Sequence, residues 1–353
     1  MTNVKLEVAH GADLEFRHGG NWDRREFVKG VAALAGSGLL GYDMRPAAAE
    51  PPPEVRKIRI AEALVACQAP LHLAEALLRA EGFDEVEYIP GRTETGPNMV
   101  VKGLADFTQW DVGAVYPLLD EGRNLLILAG LHAGCQEFFA NERVRTLRDL
   151  KGKRIAISAL GNGDHVFISS ILAYVGINPR KDVTWVAGSD LHDPMRLFIE
   201  GSADALMAFE PEPHALREKK IGHVILNTTL DRPWSQYFCC MLSSSREFVQ
   251  KNPVATKRVL RAILKAADLC ALKPEQAARF MADKGYEKRY EIGLEILKGL
   301  PYKRWREFDP EDTLRFHALR LHEVGMIKSS PQKIITQGTD WRFLNELKKE
   351  LKA

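Results

Sequence analysis

Polar and aromatic side chains follow the segments that are expected to form β-strands, and these residues are the candidates for chemistry. The strand ends supply a thiol, amides, carboxylates, an imidazole and aromatic rings. We expect ten of them to contact a small molecule: Cys67, Gln68, Trp110, Asp111, Asn162, Asp164, His165, Phe209, Glu210 and Trp234. Amides and carboxylates orient a bound molecule by hydrogen bonds, and aromatic faces pack on it. No nucleophile and base stand at a spacing that supports covalent catalysis.

Residues 161–165 connect an expected strand to an expected helix. Free backbone N–H groups at such a position could hold an anion. The pair Gly161 and Gly163 begins a dinucleotide-binding fingerprint, but Val166 stands where the third glycine belongs. A turn without any ligand is the alternative explanation of the two glycines.

Three sets of side chains at the strand ends have more than one explanation. Four aromatic residues could form a clamp: Trp110, Phe209, Trp234 and Tyr237. Core packing is the alternative for each of them. Three carboxylates could orient an amine or a hydroxyl group, with surface solvation as the alternative: Asp111, Asp164 and Glu210. Arg232 could pair with an anionic group or stabilise its own turn.

Composition and spacing exclude several other kinds of site. The 49 Lys and Arg residues balance 47 Asp and Glu, and a net charge of +2 gives no electrostatic footprint for nucleic acid. The five cysteines include no CxxC pair, which excludes a zinc ribbon and a dense disulfide framework. Five histidines are scattered without HExxH spacing: His132, His165, His192, His214 and His223. We therefore expect no catalytic residues, no metal ion and no cofactor.

The elements that must position the candidate residues occur twice along the chain. Residues 58–60 alternate apolar with polar side chains, as do residues 155–157, 97 positions later. Three landmarks follow in the same order: a helix ending at Gly82 or Gly176, a strand at residues 85–89 or 182–186, and a Gly-x-Ala-Asp step ending at Asp106 or Asp204. Such alternation implies parallel strands with right-handed crossovers. We therefore predict two α/β lobes whose strand ends face each other across a cleft.

Helical patterns dominate after residue 245. Asn252-Pro253 and Asp309-Pro310 each place a capping residue before a proline at the first helical position. We expect these helices to pack on the first lobe. The predicted division is lobe 1 over residues 50–145, lobe 2 over residues 146–228, and a return to lobe 1 with a helical cap over residues 229–353. The expected hinges lie near residues 141–146 and 227–240.

Residues 1–49 have the pattern of an export signal. Arg24-Arg25 precedes an uncharged, mildly apolar stretch at residues 30–40, and Ala47-Ala48-Ala49 ends the segment. A charged region, an apolar region and a small-residue cleavage site in this order are typical of a signal peptide. The arginine pair resembles the twin-arginine signal of bacteria. An N-terminal helix that stays on the protein is the alternative.

Several segments resemble a known family of proteins. They are residues 147–155 (LRDLKGKRI), residues 176–179 (GINP) with Asp182-Val183, residues 201–205 (GSADA), and Pro211 before a helix. Together with the signal, the two lobes and the helical tail, they resemble the bacterial ABC-transporter solute-binding proteins. The resemblance is to the nitrate/sulfonate/taurine group, which includes binders of thiamine pyrimidine precursors, and it covers about residues 56–330.

The resemblance implies a type II periplasmic-binding-protein fold, in which two α/β lobes enclose a ligand cleft and a helical C-terminal extension follows. It implies a periplasmic monomer that captures a small organic solute by hinge closure and delivers it to a membrane permease and its ATPase. Glu210 and Glu212 beside Pro211 favour a solute with aromatic or amine character over a bare oxyanion. A sensor subunit on a membrane receptor is one alternative. A thiamine-pyrimidine-synthase-like enzyme is another, for which only Cys239-Cys240 is similar to the relatives' cysteine-rich run.

Overall fold

Alternating strands and helices build the first of two five-stranded sheets. The computed structural model describes residues 50–63, 65–91, 94–190 and 193–351, so the export signal predicted at residues 1–49 lies outside the described residues. The elements of the first lobe are β1 (Lys57–Glu62), α1 (Ala69–Ala80), β2 (Glu85–Pro90), α2 (Gly96–Val101), β3 (Phe107–Asp111), α3 (Tyr116–Asp120) and β4 (Leu126–Ala133). Strand β1 pairs in parallel with β2 and β3.

The second lobe repeats this arrangement. Its elements are β5 (Gln136–Ala140), β6 (Arg154–Ile157), α4 (Gly163–Tyr174), β7 (Thr184–Ala187), α5 (Asp193–Ile199), β8 (Ala205–Phe209), α6 (Glu212–Glu218) and β9 (His223–Asn227). Strand β6 pairs in parallel with β7 and β8. The predicted helix ends are confirmed, because Gly82 and Gly176 have φ values of +103° and +82°, which suit a glycine after a helix.

Each sheet is completed by one antiparallel strand next to a crossing between the lobes. Strand β10 (Phe238–Ser244) lies between β3 and β4 in the first sheet, and β5 lies between β8 and β9 in the second. The strand orders are therefore β2-β1-β3-β10-β4 and β7-β6-β8-β5-β9. The predicted fold class of two α/β lobes is confirmed.

The first crossing lies earlier than the sequence predicts. It occurs at Gly134 and Cys135, between β4 and β5, and not at residues 141–146. Residues 136–140 were expected in the first lobe, but their backbone pairs with β8 and β9, so they belong to the second sheet. The second crossing, residues 228–237, contacts the first, because the Cys135 N–H donates to Thr229 Oγ1 at 3.1 Å.

Seven helices follow β10 within the described residues: α7 (Arg246–Lys251), α8 (Pro253–Leu272), α9 (Pro274–Asp283), α10 (Tyr290–Gly299), α11 (Pro310–Glu323), α12 (Pro331–Gly338) and α13 (Arg342–Glu350). Helix α8 packs on α1 of the first lobe, and α13 packs on α8. Helix α11 instead contacts α4 of the second lobe. None of the helices that the structure describes combines the length and the apolar character needed to cross a membrane.

Candidate functional site

The two lobes touch where α4 begins. Gly163, the first residue of α4, lies against the turn Val112–Val115 that follows β3. A Cβ atom on Gly113 would stand 2.1 Å from the Gly163 carbonyl oxygen, and a Cβ atom on Gly163 would stand 2.5 Å from Asp111 Oδ1. Only residues without a Cβ atom permit such an approach. The carboxyl ends of β3 and β6 therefore meet, as expected for ligand sites of parallel sheets.

Asp111 ends β3 and lies at this contact. Its Oδ1 accepts a hydrogen bond from the Ala114 N–H at 3.2 Å and so caps the turn. Burial, together with the charges of Cys240 and Asp164, raises the pKa of Asp111 to about 7. Because Asp164 belongs to the second lobe, carboxyl groups from both lobes interact electrostatically here. A protonated Asp111 can both donate and accept a hydrogen bond.

The loop before α4 is held by its own side chains. Asp164 accepts hydrogen bonds from the Ser158 N–H at 2.5 Å, the Ser158 hydroxyl at 2.8 Å and the His165 N–H at 2.8 Å. His165 Nδ1 accepts from the Gly161 N–H at 2.9 Å, and the Asn162 amide donates to Ser158 Oγ at 3.1 Å. Three backbone N–H groups are thus used inside the loop. The loop is a self-capped turn with an internal carboxylate, which disfavours the anion site considered from the sequence.

Burial shifts the pKa of both titratable side chains in this loop. It raises the pKa of Asp164 and lowers the pKa of His165 to about 4. The His165 ring stands edge-on to Trp185, with 4.6 Å between the ring centroids. His165 is therefore a neutral imidazole near pH 7.

Glu210 follows β8 and forms the acidic edge that the sequence predicts. Burial, and next the charge of Glu137, raise the pKa of Glu210 to about 8. Its Oε2 has no hydrogen-bond partner in the described part of the chain, although His214 Nε2 lies 3.3 Å away. Phe209, the residue before it, is half-buried, and its N–H donates to Glu212 Oε2 at 3.2 Å.

Two buried glutamines behave differently. Gln68 donates to the Gln109 carbonyl at 2.6 Å and accepts from the Ala63 N–H at 2.7 Å, so its amide braces the backbone. Gln136 pairs with Phe209 in the β5–β8 ladder, is 1% exposed, and neither of its amide atoms has a partner in the described part of the chain. Sequence reasoning missed Gln136, because it placed this segment in the first lobe. An unpaired buried amide at the end of a sheet is a candidate to bind a solute.

A buried carboxyl–imidazole pair lies at the end of β1 and was also missed. Glu62 Oε2 is 3.2 Å from His72 Nδ1, and the His72 ring stacks on Tyr286 with 3.7 Å between centroids. Burial raises the pKa of Glu62 to about 7 and lowers the pKa of His72 to about 3. The pair is therefore neutral at mildly acidic pH.

Within the described residues, no ring contact joins the four aromatic residues of the predicted clamp into one group. Trp234 stands edge-on to Tyr174 at 5.3 Å, and Tyr237 stacks on Phe316 of α11 at 4.2 Å. Trp110 packs on its own lobe, since a Cβ atom on Gly96 would stand 2.7 Å from its ring. No ring contact among the described residues joins Trp110 or Phe209 to either of the other two. Trp234 and Tyr237 thus have aromatic partners outside the predicted set, in α4 and α11, and a clamp around a solute stays a prediction.

Within the part of the chain that the structure describes, one buried group of side chains could hold a metal ion. Cys67, His132, Cys135 and Cys240, here called the thiol cluster, place one ligand atom each within 4.8 Å of all the others. Hydrogen bonds from Cys135, Cys239 and Cys67 lower the pKa of Cys240 well below its usual value. The four residues come from separate elements, so their local spacing gave no signal. Cys67, expected at the solute, lies in this cluster.

A family model and known structures match the chain. The model described as NMT1/THI5 like matches residues 78–277. A protein of Brucella abortus (strain 2308), whose name describes it as a binding protein, is 26% identical over 180 residues. These residues are 51% of this chain and 55% of the Brucella protein, so the match spans about half the length of that relative.

Two solved structures share the architecture. The periplasmic nitrate-binding protein NrtA from Synechocystis PCC 6803 has a TM-score of 0.72 at 17% identity, over 86% of this chain and 90% of NrtA. The alkanesulfonate-binding protein SsuA from Xanthomonas axonopodis pv. citri, bound to MOPS, has a TM-score of 0.64 at 18% identity, over 83% of this chain and 100% of SsuA. The chain belongs to the NMT1/THI5-like family, and it has the two-lobed fold of the periplasmic binding proteins.

Proposed function

We propose that this protein captures a small organic solute between its two lobes by hinge closure and delivers it to an ABC importer. The family and the fold support the capture of a solute, and the sequence resemblance supports a membrane permease and its ATPase as partners. The crossings at residues 134–135 and 228–237 are the proposed hinge. Closure would bury the solute and form the surface that the permease recognises.

The observation that carries the solute class is the set of buried carboxyl groups at the lobe contact. Asp111 and Glu210 have pKa values of about 7 and 8, and burial also raises the pKa of Asp164. Among the described residues, no lysine or arginine pairs with Asp111 or Asp164. An oxyanion would be repelled whenever one of these carboxyl groups ionises, and it would find no cation on Asp111 or Asp164. We therefore propose a neutral or cationic solute that donates hydrogen bonds, such as an amine, an alcohol or a nitrogen heterocycle.

Thermal unfolding of the purified chain against a solute library tests this proposal. The library contains nitrate, sulfonates, pyrimidines, aromatic carboxylates and amines. A ligand that binds only the folded state stabilises it by about 2.7 kcal/mol at a hundredfold excess over Kd. We expect a raised midpoint with amines or pyrimidines and no change with nitrate or sulfonates. A shift with the oxyanions alone would overturn the proposed solute class.

Residue assignments are tested on the solute found in this way. We propose that Asp111, Phe209, Glu210 and Gln136 contact it. Replacing Phe209 with Ala is expected to weaken binding about tenfold, or 1.4 kcal/mol. Leu272→Ala is the control, because Leu272 is 52% exposed and ends α8, outside the hinge and the proposed site. Equal affinities of the two variants would remove Phe209 from the site.

We propose a periplasmic location, reached by the twin-arginine route. Protein recovered from the periplasm is expected to begin at Glu50. Replacing Arg24 and Arg25 together with Lys is expected to stop export, because the arginine pair is the feature that this route reads. Export of the double variant at the normal level would exclude the twin-arginine route and would point to another export route.

A further inference from the structure

The thiol cluster lies in the first lobe and at the first crossing. Cys67 belongs to the turn Ala66–Gln68 after β1, His132 to β4, Cys135 to the crossing, and Cys240 to β10. His132 is 0% exposed and none of the three cysteines exceeds 7%. We propose that these four residues bind one zinc(II) ion in a closed Cys3His site. This site is independent of the solute and goes beyond the proposed transport function.

The donor set fits zinc(II) better than other common ions. Three sulfurs and one imidazole nitrogen are ligands for zinc and other thiolate-preferring ions, whereas calcium and magnesium prefer oxygen. Sulfurs about 2.3 Å from a tetrahedral zinc ion lie about 3.8 Å apart. The four ligand atoms here all lie within 4.8 Å of one another, so small side-chain movements bring them to that geometry.

Neighbouring groups already position two of the four ligands. The Cys67 carbonyl accepts hydrogen bonds from Gln109 Nε2 and from the Tyr302 hydroxyl, both at 3.1 Å. The Tyr302 ring stands edge-on to His132, with 5.3 Å between centroids. His132 Nδ1 lies 3.4 Å from the Ala133 carbonyl oxygen, a partner of the kind that orients Nε2 towards a metal ion. His132 Nε2 now lies 3.4 Å from Gln109 Nε2, and a zinc ion would replace that contact.

The backbone conformation of Cys135 gives a second, independent indication that its thiol has a function. Its φ is +83°, in the left-handed region that favours glycine. A non-glycine residue in this region is strained, and such strain accumulates where a functional side chain must be held. The Thr229 hydroxyl, which accepts from the Cys135 N–H, fixes this conformation. Glycine would suit the backbone better, so the thiol is the reason to expect cysteine here.

A disulfide bond between Cys135 and Cys239 is the alternative to the zinc site. Its Sγ lies 3.0 Å from Cys239 Sγ, and Cys239 is outside the group of four. Oxidation would join these two sulfurs and withdraw one zinc ligand. The two readings differ in the role of Cys239, which the disulfide requires and the zinc site does not.

The test uses the full chain, reduced and freed of metal, and titrated with zinc(II) against a chromogenic chelator. We expect one equivalent to bind, and cobalt(II) to give the intense sulfur-to-metal charge-transfer bands of a tetrahedral thiolate site. Cys240→Ser and Cys135→Gly are expected to weaken zinc binding at least a hundredfold. Cys135→Gly is the sharper variant, because glycine suits a φ of +83° and the fold is kept.

Two matched variants serve as controls. Cys270→Ser changes a buried cysteine of α8 that lies outside the cluster, and Cys239→Ser removes the disulfide partner. Both are expected to bind zinc like the parent chain. The proposal is overturned if the reduced parent chain binds no zinc or binds copper(I) alone. It is also overturned if Cys135→Gly binds zinc normally, or if Cys239→Ser loses binding as completely as Cys240→Ser.

Discussion

Arg59 and Asp106 in the first lobe have the same contacts as Arg154 and Asp204 in the second. In each pair the aspartate accepts the backbone N–H of the arginine, at 2.8 and 3.0 Å, and two guanidinium nitrogens. Each guanidinium also donates to the carbonyl of the glycine that begins the Gly-x-Ala-Asp step. The same arginine–aspartate device therefore joins β1 to the start of β3 in the first sheet and β6 to the start of β8 in the second.

The lobes differ where the strands end. After β1 the first lobe places a buried turn that carries Cys67 and the braced amide of Gln68. After β6 the second lobe places a loop closed on Asp164. The comparison teaches that the scaffold contacts are repeated between the lobes, whereas the residues at the cleft are specific to each lobe. Function must therefore be sought in the differences between the lobes.

The first prediction breaks the shared device in each lobe separately. Asp106→Ala and Asp204→Ala each remove the carboxylate that accepts a backbone N–H of the arginine, and we expect each to lower the free energy of unfolding by about 2–3 kcal/mol. Asp84→Ala is the control, because its pair with Arg56 is exposed to solvent and should contribute little to stability. Urea unfolding measures all three. A large loss of stability in one of the two aspartate variants and none in the other would show that the two arginine–aspartate devices are not equivalent.

The second prediction concerns pH and the acidic edge of the second lobe. Glu210 has a raised pKa of about 8, so the folded state holds its proton more tightly than the unfolded state. Its stabilising contribution is complete below pH 4.5 and is lost as the pH rises towards 8, by about 1.4 kcal/mol per pH unit. Between pH 6.5 and 8 the parent chain should lose about 1.5 kcal/mol of stability that Glu210→Gln retains.

The other titratable groups around Glu210 determine the pH range in which its effect can be measured. Glu210 interacts electrostatically with four charged side chains and lies beside His214. The four are Glu137, Arg217, Glu295 and Glu212. Buried histidines with lowered pKa values change stability in the opposite direction, but only below about pH 6.5. The unfolding free energy should therefore be compared between pH 6.5 and 8. Parallel curves for the parent chain and Glu210→Gln would contradict the assignment.

The third prediction separates the lobes at their contact. Gly113→Ala places a methyl group where the Gly163 carbonyl now lies, so the lobes should stay further apart while each still folds. We expect solute affinity to fall at least about tenfold, or 1.4 kcal/mol. Gly299→Ala is the control, since no atom lies within 4 Å of a Cβ at that position. Calorimetry with the solute identified by thermal shift measures both variants, and equal affinities would exclude closure at this contact.

The smallest expected effect compares the two glutamines. Gln68→Leu removes two hydrogen bonds to the backbone and should cost about 1–3 kcal/mol of stability. Gln136→Leu removes an amide without partners among the described residues and should change stability by less than about 1 kcal/mol while weakening solute binding. If Gln136→Leu destabilises the fold as much as Gln68→Leu, its amide is structural.

The elements of the fold were predictable because local patterns determine them. The alternating strands, the glycines after α1 and α4, and the Asn252-Pro253 start of α8 all follow from backbone chemistry over a few residues. The first crossing was misplaced because residues 126–140 form an apolar stretch, and only long-range pairing assigns its second half to the other sheet.

The site was predictable as a region but incompletely as a set of residues. Strand-end logic found Asp111 and Glu210, since the topology alone brings them to the cleft. It missed Gln136, because the predicted first crossing at residues 141–146 placed this residue in the first lobe. The thiol cluster joins four separate elements, and no spacing in the chain indicates such a group.

Each sheet contains one antiparallel strand, and the position of that strand along the chain affects the order in which the two lobes can fold. The second sheet is built from one continuous stretch, residues 136–227, and can form as soon as that stretch has been synthesised. The first sheet remains incomplete until β10 is made, because β3 and β4 have no direct pairing without it. The lobe that begins first along the chain is therefore the last to close, which reverses the usual order of domain folding during synthesis.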